Sequence, residues 1–343
     1  MTEVSASSEP WRKRGRAPTR RLRRLLRRPE AGALFAAIAV YLFFAWATRE
    51  TNFVSLNGTA AWLNSAAELG IISVAVGLLL IAGEFDLSIG SILGASSIAL
   101  AIGTRLFHID IWIMVALVLA GSALIGFLNG LIVERTRLPS FIVTLATLLG
   151  VSGAGLGFSR LLTNTTTVSM TTPPLAQAVF AGRLGQANIA ILWWILITAA
   201  AALVLGKTAF GNWIYATGGN LEAARTSGVP TARVKIALFV ATAVASSLVG
   251  VIQAIEFHSG NASNGQGYVF QAPIVAVIGG VLLGGGYGSA AGIFLGCVIY
   301  GVISVGVFYT GWNTDWIQLF LGGLLLAAVM ANSYFRHLAL SAR

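Results

Sequence analysis

Charge is what this sequence has least of. Asp, Glu, Lys and Arg make up 10% of its 343 residues, whereas a soluble domain carries roughly 25%. At 56% apolar residues and a mean hydropathy of +0.81, the chain lacks the polar surface of a water-facing globule. That argues against a cytoplasmic single-domain enzyme. Cysteine is nearly absent as well. The single Cys297 lies in an apolar segment, so it allows no intrachain disulfide and no cysteine cluster for a metal. The three histidines, His108, His258 and His337, are far apart and form no HExxH, so no metal site is expected. No nucleophile is readable either, because Asp86 and Ser88 have no histidine linked to them by any pattern. Gly206-Lys207-Thr208 ends like a phosphate loop. Ala201, however, stands where the first glycine of GxxxxGK[ST] belongs, and an apolar helix precedes it rather than a strand. Lys207 reads as an interfacial anchor, and no ATP site is expected on this chain.

What the sequence does have is apolar length. A helix needs about 20 apolar residues to cross a bilayer. Ten candidate spans can be placed, at 31–48, 61–81, 88–104, 110–133, 138–159, 188–206, 236–257, 271–286, 289–308 and 316–333. The expected fold is all-α, a polytopic membrane bundle of about ten transmembrane helices. Its parts are a basic tail 1–30, a membrane domain 31–335 and a short tail 336–343. Ten of the 22 Lys and Arg lie between Arg12 and Arg28, directly before the first apolar run. Such a cluster can bind nucleic acid, but this position is that of cytoplasmic retention before a first membrane helix. With both termini inside, the inner segments also hold Arg135, Arg137, Lys207, Arg225, Arg233, Lys235, Arg336 and Arg343. The outer ones hold only Arg49, Arg105, Arg160 and Arg183. The positive-inside rule is thereby satisfied.

Two long loops break the pattern. Residues 160–187 fall outside and residues 207–235 inside, and irregular backbone of this kind must lie in water or within protein. The inner loop holds a helical core from Leu221 to Ser227, with Asn220 as N-cap and Gly228 as stop. Forty glycines include the pairs Gly126/Gly130, Gly284/Gly288 and Gly292/Gly296, spaced for close helix contact. The run Gly279-Gly280 through Gly284-Gly285 to Gly288 is denser than packing requires and suggests a broken or tightly turned element.

Polar residues in or beside the spans are Asn64, Glu68, Glu84, Asp86, Asn129, Gln253 and Glu256. A charge in hydrocarbon is expensive, so these should face a bundle interior or a water path. Asp86 is expected to cap the third span through amides near Ser88 and Ile89. Glu68 and Glu256 suit interhelical hydrogen bonds. Asp86 with Glu68 or Glu256 would also serve an ion-coupled secondary transporter of a small polar solute, the alternative reading.

Four motifs in this order resemble the permease subunit of bacterial ABC sugar importers, of the ribose, xylose and arabinose type, in the branched-chain permease superfamily. They are GEFDLSIGS at 83–91, Asn129-Gly130 followed by LPSFIVTL at 138–145, ATGGNLEAARTSGV at 216–229, and APIVAVIGGVLLGGGYGS at 272–289. The resemblance runs from about residue 35 to 330. It implies a pore without chemistry of its own in a bacterial inner membrane. Monosaccharide would be carried inward by alternating access, with ATP and Mg held by a separate cytoplasmic ATPase. An extracellular or periplasmic binding protein and a second permease copy or paralogue are the other implied partners, alongside membrane lipid; nucleic acid is not one. It assigns Asn220, Glu222, Ala223, Ala224, Arg225 and Gly228 to the helix that couples to the ATPase. Glu84, Asp86, Ser88, Asn129, Gly279, Gly280, Gly284 and Gly285 fall in segments near the translocation path. Asn64, Glu68, Gln253 and Glu256 remain as further intramembrane polar contacts. The sequence departs from the resembled pattern at Glu84-Phe85, where small residues are usual, and at Pro273, whose missing NH could kink its helix.

Overall fold

The computed structural model describes residues 29–341; the arginine-rich tail that the sequence places in the cytoplasm lies outside the described residues. Helix after helix follows in chain order. They are α1 (Pro29–Ala47), α2 (Leu56–Ile81), α3 (Ile89–Arg105), α4 (Ile111–Thr136), α5 (Ser140–Thr163), α6 (Pro174–Ala181), α7 (Ala190–Lys207), α8 (Ala209–Gly219), α9 (Leu221–Thr226), α10 (Thr231–Glu256), α11 (Tyr268–Ile278), α12 (Ala290–Thr310) and α13 (Trp316–Ser341). Two small antiparallel ladders accompany them, β1 (Thr167–Ser169) with β4 (Ser259–Asn261) and β2 (Arg183–Leu184) with β3 (Ala187–Asn188). Among the described residues, α1, α2, α4, α5, α7, α10 and α12 are long and apolar enough to cross a membrane, and α3, α11 and the first part of α13 are shorter apolar helices.

The starts of several helices follow from single side chains. Ser55, Asp110, Thr208, Asn220 and Ser289 each accept from an amide of the first turn they precede, where no intrahelical partner exists. One expected span is corrected. The run 271–286 is not a continuous helix: α11 stops at Ile278, and the glycines beyond it form a turn that ends at Ser289. Four positive-φ glycines there, Gly280, Gly285, Gly286 and Gly288, take conformations that a helix cannot contain. Pro273 sits inside α11 rather than at its start.

The core forms around α2, whose Leu69, Ile71, Ile72, Leu79, Leu80 and Ile81 are fully buried. The packing repeats. α4 lies on α10 as α12 lies on α2, α3 lies on α10 as α11 lies on α2, and α3 meets α5 as α11 meets α13. Hydrophobic drive between helices is weak in lipid, so close approach must hold such contacts. Gly126 and Gly130 bring α4 against Phe239 and Ile236 of α10, and Gly292 and Gly296 bring α12 against Gly279 and Val275. Gly284 and Gly288 are a correction: both lie in the turn, and a side chain at Gly284 would meet open space.

Both short helices of the repeat follow a break. Residues 84–87 are non-helical before α3, and 257–267 are largely non-helical before α11. The two helix starts meet, because Gly90 faces Val269 and the Gly265 backbone. The molecule has two ends. Arg137, Arg225 and Lys235 gather around one, beside α9. The other carries the ladders, where Arg105 bonds to Ser169 of β1 and Arg183 begins β2.

Candidate functional site

Three of the four sequence motifs meet at the α9 end. Gly218, in α8, packs backbone against backbone on Ile81 and Ala82 and on Gly286 of the turn, so that a β-carbon at 218 would overlap the Ile81 carbonyl. The Gly286 amide donates to that same carbonyl at 2.8 Å, and Gly285 rests on Gly83 and Gly218. Tyr215 of α8 donates to the Gly288 carbonyl at 2.8 Å, and burial raises its phenol pKa, which keeps it a donor. The break after α2, the segment before α9 and the glycine turn therefore form one junction. Gly279 caps α11, Gly280 turns the chain with φ +92°, and Gly285 adopts φ +77°.

From this junction α9 stands out into solvent. The Asn220 side chain accepts from the Ala223 amide at 3.0 Å, as expected of an N-cap. The helix ends at Thr226, and Gly228 reverses the chain at φ +81°, which an L side chain rarely adopts. Ala224 is its one buried residue, while the Glu222 side chain is 84% exposed.

Beneath α9 lies a cluster of opposite charges. Lys235 Nζ, in the first turns of α10, reaches Glu84 Oε1 at 2.6 Å and Glu134 Oε1 at 3.0 Å. Arg225 of α9 reaches the other oxygen of Glu134 at 3.2 Å, and its Nε donates to Thr231 at 3.2 Å. Glu222 lies 3.9 Å from Arg225. With Arg137 these groups line a cleft of about 350 Å³. The carboxylate at 84 is thus paired, and its partner is Lys235. Glu134 and Lys235 escape a sequence search because their pairing joins distant parts of the chain; only the isolated charges next to apolar runs mark them.

Deeper in the break, Asp86 is almost fully buried. One carboxylate oxygen accepts from the Ser88 amide at 2.9 Å and the Ser88 hydroxyl at 2.5 Å, and the other accepts from Thr242 of α10 at 2.6 Å. Asn129 of α4 donates to Ser88 at 3.0 Å, and Thr147 of α5 donates to Asn129 at 2.6 Å. Asp86 accepts from the Ser88 amide, but Ser88 is itself the N-cap of α3, and no side chain caps that helix; the expected bond to the Ile89 amide is not found. Buried polar groups need partners, and four segments supply them here.

A second polar group lies toward the opposite end. Glu68 of α2 accepts from Gln253 of α10 at 2.6 Å and from Tyr268 of α11 at 3.1 Å. Glu256 accepts from Asn188 at 2.9 Å, and Asn64 binds the backbone of Gln186 and Asn188 at 2.9 and 2.8 Å. Glu68 makes the interhelical bonds that the sequence suggested, whereas Glu256 meets Asn188 of β3 and Arg183 of β2 rather than another helix. Among the described residues no group of three or more His, Cys, Asp or Glu is placed to hold a metal.

Comparison with known proteins bears on this arrangement. Residues 58–329 match the model of the family described as branched-chain amino acid transport system / permease component. The chain is 32% identical to the xylose transport system permease protein XylH of Escherichia coli K12, over 87% of this chain and 90% of that one. It is 30% identical to the fructose import permease protein FrcC of Rhizobium meliloti, covering 81% and 78%. Identity to the ribose import permease protein RbsC of Escherichia coli K12 is 28%, covering 88% and 92%. No solved structure gives a significant match.

Proposed function

This chain belongs to the branched-chain amino acid transport system / permease component family, and from that premise we propose that it is the pore-forming subunit of an ATP-driven, binding-protein-dependent importer of monosaccharides. Xylose, fructose and ribose in the names of its relatives support a monosaccharide as cargo. The observation that carries the mechanism is α9: a capped, glycine-terminated helix standing clear of the bundle, yet anchored to it by Arg225. A short rigid element of this kind can pass the movement of an ATPase to the spans. Asn220, Glu222, Ala223, Ala224, Arg225 and Gly228 form the docking element on this reading.

The α9 end faces the cytoplasm on this reading, since it gathers the basic residues of the loops. On this reading both termini share that side, and about ten crossings are counted by adding α3, α13 and α11 with the non-helical chain on either side of it to the seven long helices. The ladders and α6 face the binding protein. A second copy of the chain completes the pathway, and alternating access exposes it to each side in turn. Glu84, Asp86, Ser88 and Asn129, with the turn at Gly279, Gly280, Gly284 and Gly285, lie where the moving helix meets the broken spans.

A cross-linking experiment tests the docking. With Glu222→Cys in the assembled complex, a cysteine in the surface groove of the ATPase should form a disulfide with it. Failure of every groove position to cross-link, in a complex that hydrolyses ATP, would contradict the assignment.

A further inference from the structure

The charged cluster beneath α9 is graded from water into the bundle. Side-chain exposure falls from 84% at Glu222 to 36% at Arg225, 10% at Glu134 and 8% at Lys235. Glu134 gives one oxygen to Arg225 and the other to Lys235, so a single carboxylate joins the exposed helix to the buried cation. Lys235 then reaches Glu84, which stands in the break itself. The break has few backbone ties of its own. Glu84 donates to Leu79 at 3.1 Å, and Phe85 donates to the Ser140 hydroxyl at 3.0 Å. Side chains from α4 and α10 therefore hold it at two levels: Lys235, backed by Glu134, at Glu84, and Thr242 at Asp86, beside Asn129 at Ser88.

Resting on the proposed function, we infer that Arg225, Glu134, Lys235 and Glu84 form an ionic strut, with Lys235 the positioning residue through which movement of α9 reaches the break before α3. Ion pairs in a buried setting are stronger than at the surface, and removing one partner leaves the other charge uncompensated. Without Lys235, the carboxylates of Glu84 and Glu134 lose their shared cation, and the break is released from α9 while α9 keeps its own shape.

The test reads the break directly. Phe85→Cys is introduced into the full chain, assembled with a cysteine-free ATPase partner, and labelled with a maleimide; the native Cys297 is fully buried in α12 and does not compete. The labelling rate should change at least about fivefold between the nucleotide-free and ATP-vanadate states, the lower end of ordinary allosteric coupling. Lys235→Met should abolish that response and Lys235→Arg should keep it. Glu84→Gln, a milder change, should abolish it too, and the double variant should lose no more than either single one. An assembled Lys235→Met complex that keeps the nucleotide response overturns the strut. Where that variant fails to assemble, a retained response in Glu84→Gln overturns it. No nucleotide response in the parent chain would instead overturn the ATP-driven reading, and the strut with it.

Discussion

Thr242 of α10 donates a 2.6 Å hydrogen bond to Asp86, 156 residues earlier in the chain. Among the described residues it is the sole side-chain partner of one carboxylate oxygen in a residue that is 1% exposed. Replacing Thr242 with Val leaves that oxygen buried without a donor. The expected cost is about 1–3 kcal/mol of stability, read as a lower thermal unfolding midpoint in detergent. Asp86→Ala should cost more than Thr242→Val, because Ser88 loses its partner as well.

Two glycines of the family motifs should behave oppositely. Gly218 has no room for a β-carbon, since the obstructing atoms are the backbone of Ile81, Ala82 and Gly286. Gly218→Ala should therefore lower the yield of folded protein on size-exclusion chromatography. Gly284 faces open space, and Gly284→Ala should stay within about 0.5 kcal/mol of the parent in unfolding midpoint.

The cap of α9 is expected to matter locally. Asn220→Ala removes the acceptor for the Ala223 amide, a loss of about 1 kcal/mol. Hydrogen exchange of the amides at 221–226 should quicken, while the amides of α2 and α10 remain as slow as before.

At Glu68, two donors differ in consequence. Gln253→Leu removes the 2.6 Å donor and should destabilise by about 1–3 kcal/mol, whereas Tyr268→Phe removes the 3.1 Å donor and should cost about 0.5–1.5 kcal/mol. Unfolding midpoints unchanged from the parent in both variants would show that this network does not hold α2, α10 and α11 together.

Much of this architecture was legible in the sequence, for local reasons. Apolar length marked the seven long helices, and Asn220 with Gly228 bounded α9 because caps and left-handed turns are made by neighbouring residues. The span at 271–286 extends too far because hydropathy counts glycine as compatible with a helix; the density of glycines from Gly279 to Gly288 already suggests a turn, but the positive φ angles at Gly280, Gly285 and Gly286 that end the helix are set by the fold. The pairing of Glu84 with Lys235 and the bridge at Glu134 were hidden for another reason. Each joins residues brought together by the packing of α4 and α10 around the break, and no spacing along the chain encodes it.

The most direct measurement is sugar uptake into proteoliposomes holding this chain with its ATPase, supplied with the cognate binding protein and radiolabelled D-xylose, D-ribose or D-fructose. Uptake of one of these sugars should require ATP in the compartment with the ATPase and should persist without any sodium or proton gradient. Uptake that runs on such a gradient in the absence of the ATPase would contradict the importer and favour an ion-coupled carrier.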